Sequence, residues 1–289
     1  MTTTEPARPT AEPITARALQ TVIEPTHGWR ALDLREMWRF RDLLRSLVVR
    51  DIKLRYRQTA LGVFWVLLQP LISAAVFTFV FGRVARLPSG PVPYFLIALT
   101  GMLTWTLFSG VLQRGSQALV ANAALVGKVF FPRLLLPISA VGSGLIDVAV
   151  AATLVIALAA ASGVFAGFSL LLLPVWLLLA ILLALGPAIA TSALTVAYRD
   201  VAYVIPVAMQ ALLFLSPVGY DTTAVPERFR SLYELNPLVA PIQGVRSALL
   251  GLPGPSLISV TSSALCAAVL LVLASVYFTR HERRFADVI

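Results

Sequence analysis

Charge is missing from five long stretches of this 289-residue chain, and that constrains its fold more than any other feature. Gln58–Gly82, Leu87–Gln113, Leu134–Tyr198, Val201–Tyr220 and Ser247–Thr279 contain no Asp, Glu, Lys or Arg apart from Asp147. A helix needs about 20 mostly apolar residues to cross about 30 Å of hydrocarbon. The third stretch is roughly three times that length and must fold back on itself. Its break is placed at Ser162-Gly163 and Gly167-Phe168, so the five stretches give six spans. The expected fold is all-α: a polytopic membrane protein with six transmembrane helices, an N-terminal amphipathic interface helix and external re-entrant helices.

Composition agrees: 58% of residues are hydrophobic and 13% charged, against about 25% charged in a soluble domain. Met1–Pro25 lacks the apolar centre of a signal peptide and is rich in Thr, Pro and Ala. Residues 1–31 are therefore read as a disordered cytoplasmic tail. The lone Cys266 rules out an internal disulfide, and His27 and His281 lie far apart outside the spans. No metal site is expected. The net charge of +9 is not spread as a nucleic-acid surface would be: eleven of 23 basic residues precede Gln58, and Arg280, Arg283 and Arg284 follow the last span. Basic residues flanking spans favour the cytoplasmic side. Both termini are thus expected in the cytoplasm, which six spans permit, and no nucleic-acid partner is expected.

Residues 32–57 read as the amphipathic helix. Asp33 and Glu36 resemble a helix-opening pair, and Phe40, Leu43, Leu44, Leu47, Val48 and Ile52 form a helical stripe. Arginines and Lys53 fill the other face, so the helix is expected along the inner membrane surface. The six-span domain covers 58–279, with spans at about Ala60–Gly82, Tyr94–Gln113, Leu134–Ala161, Ser169–Ala197, Val201–Val218 and Ser256–Thr279. Within it, 114–133 is a short basic cytoplasmic element. The mixed segment 221–245 is too polar to cross and suits a partly inserted helical pair on the outer side. Residues 280–289 form a cytoplasmic tail.

Catalytic signatures are missing. Gly127-Lys128 is followed by Val129 and lacks the glycine spacing of a phosphate loop. Gly142-Ser143-Gly144 is not a nucleophile elbow. Asp147, a lone carboxylate in a span, costs about 2.5–3.5 kcal/mol on insertion scales. It is protonated, bonded across helices or facing a wet pathway; a structural partner is the preferred reading.

Two segments carry a resemblance. Leu54-Arg55-Tyr56-Arg57, followed by Leu61-Gly62, Trp65 and Gln69-Pro70, and Lys128-Val129-Phe130-Phe131-Pro132-Arg133 up to Pro137 resemble the membrane subunits of ABC-2 type exporters. The likeness is to the polysaccharide branch, which exports O-antigen, capsule and teichoic acid. Tyr198-Arg199-Asp200, Ser216-Pro217 and Leu235-Asn236-Pro237 are weaker matches. The resemblance covers Trp38 to the C-terminus. It implies a homodimer in the bacterial inner membrane with two copies of a separate ABC ATPase. ATP and magnesium would be held by that partner, with no cofactor in this chain. Lys128, Phe130, Phe131, Pro132 and Arg133 would be ATPase-coupling residues, and 221–245, with Glu234, Asn236 and Pro237, the external gate.

A lipid-linked glycan needs a polar-tolerant route, and aromatic faces suit the apolar C–H surfaces of sugar rings. The substrate-channel candidates are Tyr56, Phe64, Trp65, Phe77, Tyr203, Phe214 and Tyr220, with Gln69 beside Pro70 as a polar one. Phe77, Phe79 and Phe81, two residues apart, cannot share one helical face. The same architecture in an ABC-2 exporter of a drug or small lipid is the alternative. A membrane enzyme or scaffold working without an ATPase is the third reading.

Overall fold

The computed structural model describes residues 34–57, 64–88, 90–164 and 167–288. The expected tail 1–31 and the Leu61-Gly62 motif lie outside them. Among the described residues the chain is helical, with no strand. Five helices are long and apolar enough to span a membrane.

Helix α1 (Leu34–Arg39) leads into α2 (Arg41–Tyr56). Part of the apolar stripe of α2 packs on the body of the bundle. Leu47 is buried with Phe131, Leu134, Phe278 and Phe285, and Phe40, Leu43 and Leu44 pack around them. Docking is possible because Gly142 leaves a groove: a Cβ there would come within 2.6 Å of the Val48 methyls.

Helix α3 (Phe64–Phe77) continues as a π-helical segment, Thr78–Val84. Pro70 sits inside α3 without a backbone N–H to donate. The central helix is α4 (Tyr94–Ala121), in contact with α3 and with the later helices. It continues eight residues beyond the expected end at Gln113, because Arg114 lies near Asp147 and its charge is not a reason to leave the bundle. A turn at Asn122, whose Nδ2 donates to the Ala118 carbonyl at 2.8 Å, leads to the short α5 (Ala123–Lys128).

Helix α6 (Leu135–Ala161) ends where expected, and Gly163 and Gly167 take positive φ of 72° and 59° in the reversal. A 3₁₀ turn, Gly167–Leu172, opens α7 (Leu173–Ala197). After Tyr198-Arg199-Asp200 comes α8 (Val201–Leu215). The expected span to Val218 is helical only to Leu215. Fifteen residues rise about 22 Å, short of the hydrocarbon thickness. The cause is Ser216-Pro217, since proline pushes its predecessor out of helical geometry: Ser216 has φ −108°, ψ 154°.

The segment expected as a helical pair forms α9 (Glu227–Glu234) and α10 (Val239–Leu250). Almost all of α10 is buried, and Gly244 lies so close to the Trp176 indole that a Cβ would overlap the ring. Last, α11 (Leu257–Val288) is 32 residues long, about 48 Å, and outreaches a bilayer.

Two apolar clusters mark the two ends. One joins α2, the end of α4, α5, the start of α6, the end of α7 and the last turns of α11. The larger fills the space between α4, α6, α7 and α10. The start of α2 and the end of α11 therefore sit at the same end of the bundle. Hydroxyls within α4 satisfy themselves on their own helix: Thr100 on Leu96, Thr104 on Thr100, Ser109 on Trp105. That is what a low-dielectric interior demands of a polar side chain.

Candidate functional site

The α2 end carries the first candidate surface. From Lys128 the chain leaves α5 through an extended Val129 and reaches α6 by bends and a turn. Phe130 and Phe131 are adjacent yet opposite: Phe130 is 67% exposed, whereas Phe131 is 4% exposed and anchored among Leu47, Leu134 and Phe278. Lys128 and Val129 are also exposed. Arg133 is half-buried and bound to α11. Its backbone N–H donates to Glu282 Oε1 at 3.2 Å, and its guanidinium donates to the Glu282 carbonyl. Of the five coupling candidates, Lys128 and Phe130 point outward. Phe131 and Arg133 fix the segment to the body, with Pro132 partly buried between them.

Asp147 of α6 answers the question left by its sequence. It is ion-paired with Arg55 of α2 and lies 3.8 Å from Arg114 Nη1 of α4. Gly110 and Gly144 make room for the Arg114 guanidinium: a Cβ at either would stand 3.0 to 3.1 Å from its nitrogens. The carboxylate thus joins three helices through two cations.

The channel candidates are not brought to one place. Phe64, Trp65 and Gln69 are exposed on α3, and Tyr203 and Phe214 are exposed on α8. Phe77 and Tyr220 instead turn inward at the α10 end. The side chain of Tyr56 lies outside the described residues. Phe77 and Phe81 point to the core while Phe79 points out, as the spacing required. From Phe77 a file of rings runs to Phe81 (centroids 5.8 Å apart), Tyr220 (6.0 Å) and Tyr233 (6.3 Å). Tyr220 donates to the Phe214 carbonyl at 3.0 Å, and the Tyr233 hydroxyl donates to Tyr220 at 2.8 Å. Burial, then the bond to Tyr220, pushes the Tyr233 phenol well above its ordinary value, so it stays a neutral donor.

The gate candidates tie elements together. Asn236 Nδ2 donates to the Leu215 carbonyl at 3.0 Å and to Ser216 Oγ at 3.3 Å, capping the end of α8. Pro237 accepts from Ser263 Oγ at 2.7 Å, and the Glu234 carboxylate accepts from Ser256 Oγ at 2.9 Å, both on or beside α11.

The sequence reading did not single out Arg246. Arg246 is 1% exposed. Its Nε donates to the Ile97 carbonyl at 3.2 Å, one Nη to Tyr220 O at 2.9 Å and the other to Val218 O at 2.9 Å. Desolvation lowers the guanidinium to about 10, and Asp221 acts in the opposite direction. The signal was available: a single arginine between Ile242 and Leu250, inside an otherwise uncharged helix, has no use for burial unless acceptors await it.

No three of His, Cys, Asp and Glu come together to hold a metal ion among the described residues. What the chain offers is a helical body with five span-length helices, an exposed aromatic-basic projection at one end and a hydrogen-bonded non-helical segment at the other.

The sequence matches the family described as ABC-2 type transporter over residues 42–250. The chain belongs to that family. It is 30% identical over 256 residues to the O-antigen export system permease protein RfbA of Myxococcus xanthus, covering 88% of this chain and 98% of that one. A protein of the same name from Klebsiella pneumoniae is 25% identical, with 86% and 95% covered. The polysialic acid transport protein KpsM of Escherichia coli is 25% identical, with 72% and 81% covered.

Proposed function

We propose that this chain is the membrane permease subunit of an ATP-driven exporter that moves lipid-linked polysaccharide across the bacterial inner membrane. The named relatives handle O-antigen and polysialic acid, which supports a cell-envelope glycan over a drug or small lipid. In this reading two copies pair, each engages one copy of a separate ABC ATPase, and that partner holds ATP and magnesium. The chain itself is a conduit, not an enzyme.

The observation that carries the proposal is the mounting of Phe130. An exposed aromatic beside Lys128 is held out by a buried Phe131 and by the Arg133–Glu282 tie, at the end that also bears the cationic face of α2. A rigid lever of this kind transmits force, because its base cannot yield independently of α4, α6 and α11. The positive charge at this end supports a cytoplasmic location for both termini. The sixth crossing is then α8 completed by the non-helical Ser216–Gly219. Its far end is joined to the start of α4 by Tyr94 Oη donating to Gly219 O at 2.8 Å.

In the mechanism, closure of the ATPase pair pushes on Lys128 and Phe130, and the push reaches the bundle through the Phe131 anchor. Asp147 carries motion between α2, α4 and α6. Exposed aromatics on α3 and α8, facing the second copy, would line the glycan route, with the ring file from Phe77 to Tyr233 at its outer end.

Phe130→Asp is the direct test, since the exposed ring has no role in folding. With the cognate ATPase co-expressed, the variant should accumulate and fold normally, lose at least tenfold of ATPase co-purification and lose glycan export. Normal co-purification with normal export would overturn the coupling assignment. Arg133→Glu is a poorer probe, because it also breaks the bond to Glu282.

A further inference from the structure

The segment Ser216–Tyr220 is non-helical backbone between helices, extended at Ser216 and then turning, with Ser216 and Val218 fully buried. It cannot become helix: Pro217 has no N–H to donate to Leu213, and it holds Ser216 extended. Non-helical backbone at membrane depth survives only when protein supplies its hydrogen bonds. Here the donors to its carbonyls, and to that of Leu215 just before it, are mostly side chains from other elements. Asn236 bonds Leu215, Arg246 bonds both Val218 and Tyr220, and Tyr94 bonds Gly219. The one backbone bond is local, Val218 N–H to Ser216 O at 2.7 Å. One residue, Arg246, therefore holds two of these carbonyls and ties them to Ile97 of α4. Gly101 completes the seat, since any Cβ there would overlap the Val218 carbonyl oxygen.

We propose that Arg246 is the positioning residue of an exit strap, fastening Ser216–Tyr220 to α4 and thereby placing Tyr220 between Phe81 and Tyr233. This deepens the permease reading and rests on it for the word exit. The acceptors explain the residue type. Three carbonyls from two elements meet three nitrogens of one planar fork, whereas a lysine has a single nitrogen on a flexible stem. The arrangement also explains how the strap would open. When the fork lets go, the Val218 and Tyr220 carbonyls are released together, so the strap moves as a unit while the helices around it keep their backbone bonds.

The test uses the full chain with its cognate ATPase, with Cys266→Ser as background and Val218→Cys as reporter. The reporter changes only a side chain, because Arg246 holds the Val218 backbone. A membrane-impermeant maleimide is applied from the outer side. The reporter should label slowly in the background protein, at least tenfold faster with Arg246→Lys and several-fold faster with Tyr94→Phe. Glycan export should fall in the same order while ATPase co-purification holds. Unchanged labelling and export in Arg246→Lys would overturn the proposal. So would loss of folded Arg246→Lys protein together with unchanged labelling in Tyr94→Phe, which would make Arg246 a folding residue only. Faster labelling in a complex that moves no glycan at all would keep the strap and sink the cargo reading.

Discussion

Helix α3 with its π-helical continuation and helix α4 are consecutive spans of almost equal apolarity, yet 11% of the most apolar stretch of the first is buried and 78% of that of the second. The difference lies in side-chain size and polarity. Facing lipid costs an apolar side chain nothing, so hydrophobicity alone does not draw a helix to the centre of a membrane bundle. Close approach does, and it needs small residues. Helix α4 has Gly101, Gly110 and Gly115 together with Thr100, Thr104 and Ser116. At Gly115 a Cβ would come within 2.8 Å of Ala188 on α7. Helix α3 presents Phe64, Trp65, Ile72 and Val76 outward, and its π-helical continuation Phe79, too bulky for such contact within one copy.

If size is what makes α4 the hub, adding it there should have the largest effect of any change in the chain. Gly101→Leu drives a side chain into the Val218 carbonyl and the Arg246 guanidinium. Overpacking a core usually costs about 1–3 kcal/mol. Here the obstacle is backbone held on both sides, so the loss should exceed about 3 kcal/mol and leave little folded protein. Size-exclusion profiles and thermal unfolding of the purified chain would show it. A Gly101→Leu protein as stable as its parent would refute the account of α4.

The next largest effect should come from the charge that holds α4 to its neighbours. Asp147→Ala leaves Arg55 and Arg114 facing each other without the carboxylate. Removing one partner of a buried ion pair costs about 3–5 kcal/mol. Both arginines are part-exposed, which lowers the expected loss to about 1–3 kcal/mol. Adding Arg114→Gln to Asp147→Ala should return part of it, because the repulsion goes too. Calorimetry of the single and double variants decides; equal losses in both would mean that Arg114 plays no part.

This contrast also shows where the sequence was legible. Span positions could be read because missing charge is a local property, and the reversal at Gly163 and Gly167 because positive φ favours glycine. The coupling segment was found from its order of residues, but not its division of labour. Nothing local says that Phe130 points out while Phe131 fills a cluster built from α2, α6 and α11. Pairings across long separations were hidden for the same reason. Asp147 and Arg55 are 92 residues apart, and Arg246 and Ile97 are 149 apart. Arg246 escaped notice because a charge near a span end is usually solvated, and its burial depends on carbonyls released where Pro217 ends α8. That proline also shortened α8, although the apolar run continues through Val218.

The smallest effect on folding, and the sharpest test of the contrast, belongs to α3. Surface substitutions away from special features usually stay within about 0.5 kcal/mol, so Val76→Cys or Phe79→Leu should leave the unfolding temperature of the single copy almost unchanged. A functional partner surface behaves differently. In membranes, with Cys266→Ser as background, Val76→Cys should form a disulfide between two copies on mild oxidation. A cysteine at Leu103, buried in α4, should not. Phe79→Leu should weaken dimer recovery after cross-linking several-fold without unfolding the protein. If neither α3 nor the exposed face of α8, read with Val207→Cys, links two copies, then these faces meet only lipid. The low burial of α3 would then be its final state, and the glycan route would have to lie elsewhere in the bundle.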